Sequence, residues 1–260
     1  MNIISMKKNI SKIFVIAFTL LIAIAFPIFT QGLPEHVLPD SYYTFRDDMY
    51  NFAKTPDEMH DDYETYIAQT ENDFSEGKIS KYEYYLYMSR YEFIMARVYH
   101  YDNNFPEAEK YFDRGMDFGN KAMKENENAQ SVLIYVENLS MNCIVKPVSW
   151  VIANGPKVAT LDKKVFSYDK RNGAALYMSN AQDIFAPSPF NNVKRGIVNM
   201  KSFLTNPNYD LDTDDRFNIT AAVGYGYMLQ KNKADAELWF KKALEIYPGN
   251  KYIQGLMEAL

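Results

Sequence analysis

Cysteine occurs once, tryptophan twice and histidine three times in 260 residues. A lone Cys143 leaves no internal disulfide. Its apolar setting, "LSMNCIVKPV", points to a buried, inert thiol. His36, His60 and His100 are scattered, with no partner at ligand spacing, so no metal site is expected. There is no phosphate-cradling glycine loop, no serine elbow and no Cys–His arrangement. These absences argue against an enzyme and against a bound cofactor. Runs of alternating apolar and polar residues are also missing, which excludes a strand-built core. Basic residues are in the minority, 28 against 33 acids, for a formal charge of -5. Such a surface disfavours nucleic acid and anionic membrane as partners. The acidic stretch "DLDTDD" places Asp210, Asp212 and Asp214 at the opening spacings of a calcium loop. Asp215 stands where glycine is needed and Ala221 where glutamate is needed, so the match fails. A capped helix start at Arg216 accounts for these acids better.

Apolar and aromatic residues are abundant: 47% of the chain is hydrophobic, with 21 Tyr and 17 Phe. The first thirty residues stand apart. Lys7, Lys8 and Lys12 precede an almost wholly apolar run from Ile13 to Phe29, and Thr30 and Gly32 follow. This pattern is that of a cleavable signal peptide over 1–32, cut after Gly32 or near Ala23-Ile24-Ala25. It implies a periplasmic or secreted protein. The alternative is an uncleaved anchor, the one case that would bring a membrane in as partner. No Cys ends the apolar run, so a lipoprotein anchor is not expected.

Helical spacing dominates the remainder. Asp57–Phe74, Ser80–Asp102 and Phe105–Glu125 read as helices, and Pro106 suits a first turn. Asn154-Gly155-Pro156, Ala186–Asn192 and Asn206–Asn208 read as inter-helix turns. Two segments share one small–large frame. In Phe217–Asn250 it is Gly224, Tyr227, Ala236, Phe240, Ala243 and Pro248. In Ser89–Ala122 it is Ala96, Tyr99, Ala108, Phe112 and Gly115, with Asn120 where the proline would stand. That frame is the tetratricopeptide pattern, a 34-residue helix–turn–helix. Small residues let paired helices cross closely, and aromatics fill the hollow beside them. Leu161–Asn172 and Ala175–Pro207 are weaker units, the second pairing Ala181 and Ile184 with Gly196, Met200 and Phe203. The expectation is therefore an all-α, tetratricopeptide-like helical-repeat solenoid of antiparallel helix pairs over 57–260. An N-terminal extension (33–56) precedes it and a capping helix (251–260) ends it.

The segments Lys110–Met123, Ala153–Met178 and Phe185–Leu204 extend this pattern. Through them the chain resembles the T-component proteins associated with TRAP transporters, over about Ser80–Asn250. It departs from them in lacking a proline in "YDKRN", a glycine pair in "FNNVKRG" and a lipid-anchoring Cys. The resemblance implies an exported helical protein beside an uptake system for small organic acids, with a solute-binding protein of that system as a partner.

Stacked helix pairs present an inner face from the first helix of each pair. In Ser89–Ala122 that face carries Arg90, Phe93, Arg97, His100 and Tyr101. In Phe217–Asn250 it carries Asn218, Ala221, Tyr225, Met228 and Leu229, and the middle unit adds Met178 and Gln182. Arginine grips carboxylates through a planar fork, and aromatics cover an apolar body. The candidate ligand-binding residues are thus Arg90, Arg97, His100, Tyr101, Gln182 and Tyr225, with no catalytic residue. A small anionic ligand, or a protein partner lying as a peptide or helix in the groove, would each suit them. Homo-oligomerisation stays open. The competing reading pairs Arg90 and Arg97 with Glu83, Glu92 or Asp102 on a wet surface.

Overall fold

The computed structural model of the protein describes residues 38–186 and 191–260. The signal peptide expected over 1–32 lies outside them. Among the described residues the fold is all-α, with eleven helices and no strand. In chain order they are α1 (Asp40–Asn51), α2 (Pro56–Ser75), α3 (Lys81–Tyr101), α4 (Phe105–Glu125), α5 (Ala129–Val145), α6 (Val148–Tyr168), α7 (Gly173–Phe185), α8 (Val193–Thr205), α9 (Thr213–Leu229), α10 (Lys233–Ile246) and α11 (Lys251–Glu258). Ser41–Leu260 forms one compact unit.

The starts of these helices are written locally. Thr55 and Ser80 each close a capping box, with Glu58 and Glu83 respectively. Asn104, Asn128, Asn172, Asn192, Asn232 and Asn250 accept from the first free amides of their helices. The acidic stretch starts a helix as expected, but three residues earlier: Asp212 caps α9 and forms a capping box with Asp215.

From α2 onward every helix packs on the next, and α3 also reaches α5, as α7 reaches α9. The small residues of the frame sit where helices press together. Ala96, Ala108, Ala236 and Ala243 are wholly buried, as are Phe112 and Phe240. A Cβ on Gly224 would lie 2.6 Å from the Phe240 ring, so the last crossing is Gly224 against Phe240. Likewise a Cβ on Gly196 would lie 2.6 Å from Ile184, joining α7 to α8 through a core of Leu176, Ile184, Ile197, Met200, Ile219 and Val223.

Two expectations need correction. Asn154-Gly155-Pro156 is no turn: it lies inside α6, with Pro156 in the helix interior. Proline there removes the amide that would bond the carbonyl of Ile152. Ile152 is 73% exposed, so water is at hand for that carbonyl, and the helix continues. Nor is 33–56 merely an extension. It contains α1, which the remaining helices bury. Tyr42, Phe45, Met49 and Tyr50 are all at most 5% exposed. Phe45 lies edge-on to Tyr66 of α2, Arg46 donates to Asp214 of α9 at 2.8 Å, and Asn250 donates to the Tyr50 carbonyl at 2.7 Å. Helix α1 therefore occupies the face assigned from sequence to an open groove: Tyr42 meets Arg90, Tyr50 meets Arg97 and Asn218, and Phe52 meets Tyr101.

Candidate ligand-binding cavity

A cavity of about 910 Å³ opens between the C-terminal end of α3 and helices α5, α6, α7, α9 and α11. That is the size of a site for a drug-sized ligand. Most of its wall is apolar, including Met141, Val158, Phe166 and Met178. Its mouth is marked by Ile144, Phe185 and Tyr252, each about half exposed. Phe185 stacks on Tyr225 with ring centroids 5.3 Å apart.

Five of the six residues singled out from sequence line this one cavity: Arg97, His100, Tyr101, Gln182 and Tyr225. They are drawn from three helices, so only the fold brings them together. The sixth, Arg90, is placed elsewhere. Its guanidinium is buried against Glu137 of α5 and lies over the Tyr42 ring. Neither arginine pairs with Glu83, Glu92 or Asp102. Glu83 caps α3 and Glu92 binds Arg114. Arg90 reaches Glu137 because that acid comes from a neighbouring helix, a partner no spacing along α3 reveals.

Arg97 has a different environment. It donates to the hydroxyls of Tyr50 (3.1 Å) and Tyr101, and packs over the Tyr50, Phe93 and Tyr101 rings. Its Nε is buried without a partner, and among the described residues no carboxylate pairs with it. Three residues on, His100 keeps a buried Nδ1 without a partner. Burial, and then the Arg97 charge, lower its pKa, which favours the neutral imidazole. The fixed Arg97 cation suits an anion, and the neutral His100 ring can add a hydrogen bond to it in the tautomer that carries its proton on Nδ1.

Sequence reasoning missed Asp162. This α6 carboxyl is 3% exposed and lines the cavity, and its Oδ1 is buried without a partner. Val158 lies one turn before it and Phe166 one turn after, so the sequence does carry a signal: an acid on an apolar stripe. Cys143, expected to be buried, is half-buried on the cavity wall, where burial pushes its thiol pKa up.

Burial pushes Asp162 from 3.8 up to about 7. The folded state then holds a proton that the unfolded chain has released, so stability falls as pH rises between those values and stays lower above them. Full ionisation at that shift corresponds to at most about 4 kcal/mol. The open mouth admits water, and about half of that is expected. Asp162→Asn should therefore be more stable than wild type by about 2 kcal/mol at about pH 8, with the gain vanishing toward pH 4. Urea unfolding across that range checks it; an equal gain at every pH would show that the carboxyl does not titrate in this window.

Comparison with family models, curated proteins and solved structures finds no match for the chain.

Proposed function

We propose that the protein is a non-enzymatic binding protein of tetratricopeptide-like solenoid architecture that holds a small organic anion in this cavity. The observation that carries the reading is Arg97: a guanidinium with no carboxylate partner, facing about 910 Å³ of mostly apolar space. Leaving a sequestered charge unpaired is costly, and a ligand carboxylate would remove that cost with two charge-assisted hydrogen bonds. The α9/α10 pair supports the repeat architecture through Gly224 against Phe240, and in α3/α4 the frame's Ala96, Ala108 and Phe112 are wholly buried. A peptide in the groove is the weaker reading, because α1 already fills the face that would hold it. A place beside an organic-acid uptake system, as an exported accessory handing ligand to a solute-binding protein, is compatible with such a cavity.

Native mass spectrometry of the protein from its own cells should reveal a co-purifying anion. Arg97→Ala should then lower affinity for that compound at least about tenfold, equivalent to 1.4 kcal/mol, in calorimetric titration. Arg97 also bonds Tyr50, so Tyr50→Phe serves as control: it removes the same hydrogen bond and keeps the charge. Equal affinities for wild type and Arg97→Ala would sink the proposal.

A further inference from the structure

The cavity holds a second polar group whose chemistry is the opposite of Arg97. Several other sequestered carboxylates among the described residues have a guanidinium. Glu92 has Arg114, Glu137 has Arg90, Asp183 has Arg195 and Asp214 has Arg46. Asp162, only 3% exposed, has none. The lysines of its own helix do not supply the lack. Lys164 binds Glu127 and Lys157 binds Asn154, and Lys163, which also lines the cavity, is exposed and makes no ion pair with Asp162. Neighbouring hydroxyls do not supply it either. That of Ser179 donates to the Leu176 carbonyl, and Ser140 gives Asp162 no hydrogen bond. The same cavity is lined by apolar side chains such as Met141, Val158, Phe166 and Met178.

We infer that Asp162 is a second anchor of the cavity, and that the ligand is a bifunctional organic acid: an anionic group for Arg97, an apolar body, and a hydroxyl or ammonium that donates to Asp162. This rests on the proposed anion site. Arg97 supplies binding strength, while Asp162 supplies selection. A plain acid with the same body leaves the Asp162 oxygen unsatisfied, and a site built to take a donor discriminates against the analogue that lacks it. The apolar wall takes the body of either compound without preference.

The test uses the full chain with the fluorescent anion anilinonaphthalene sulfonate in the cavity. It is displaced by three competitors of one medium chain length: a plain fatty acid, its ω-hydroxy acid and its ω-amino acid. For the wild-type protein, the two bifunctional acids should displace the dye at concentrations at least about tenfold lower than the plain acid. In Asp162→Asn that preference should fall below about threefold, with the plain acid binding as before or better. In Arg97→Gln all three should weaken together. Equal potency of plain and bifunctional acids on the wild-type protein overturns the inference and leaves the anion site standing; so does an undiminished preference in Asp162→Asn. Failure of every acid to displace the dye overturns both. Melting curves of each variant confirm that it is folded, and Asp162→Asn is the variant expected to be at least as stable as wild type.

Discussion

Arg90→Met should lower the free energy of unfolding by about 3–5 kcal/mol, and Glu137→Gln by a similar amount. The two side chains are 8% and 15% exposed and pair across α3 and α5. Removing either leaves the other without water or a counter-charge, and that penalty exceeds what the intact pair contributes. The argument fixes a third result. Arg90→Met combined with Glu137→Leu should recover most of the loss, since two packed apolar side chains leave nothing unpaired. Denaturant titration of the three variants measures the coupling directly. A loss under about 1 kcal/mol for Arg90→Met would mean that the pair is effectively solvated. Arg90 lies outside the cavity, so dye and ligand affinity should be unchanged. The same substitution class at Arg97 should show the reverse, with a large effect on binding.

Tyr50→Ala should cost about 3–5 kcal/mol by cavity creation and lost aromatic contact. Tyr50 is 2% exposed and stacks on Tyr247 at 4.8 Å, and the edge of the pair meets Phe217 at 5.1 Å. Its hydroxyl accepts from Asn218 at 2.9 Å and from Arg97 at 3.1 Å. One side chain thereby ties α1 to α3, α9 and the turn before α11. Few backbone contacts hold α1, so its attachment depends on such side chains. Loss of Tyr50 should free α1 first. Limited proteolysis should then cut within Asp40–Asn51 under conditions where the wild-type helix resists. Unchanged unfolding and unchanged resistance to cleavage would show that α1 is held by other contacts.

The frame Gly224, Ala236, Phe240 and Ala243 was legible because helix crossings demand small residues at fixed helical spacing, and that demand is local to about one repeat. Helix starts near Asp57 and Ser80 were legible for the same reason, since a cap acts within three residues, whereas the start of α9 was read three residues late. Arg97, His100 and Tyr101 could be placed on one stripe of one helix by counting turns. Gln182 and Tyr225 followed from the repeat frame. What failed was of two kinds: the pairing of Arg90, which depended on distant chain, and the reading of Asn154-Gly155-Pro156 as a turn, which did not. Arg90 stands on the same stripe as Arg97, and its role differs because Glu137 lies 47 residues away in sequence and beside it in space.

The sequence by itself determined that this chain is helical, where its clearest helices begin, and which residues of α3 face inward. Those properties rest on hydrogen bonds and side-chain spacings within a turn or two. Only the tertiary structure decided that α1 fills the groove, because its contacts with Asp214, Asn218 and Asn250 join segments 168 to 200 residues apart. Only it separated a neutralised arginine from one facing the cavity, and revealed Asp162 as a carboxyl without a partner. Whether a charge is paired is a property of the space around it, and α3, α5, α6 and α9 share that space only after folding.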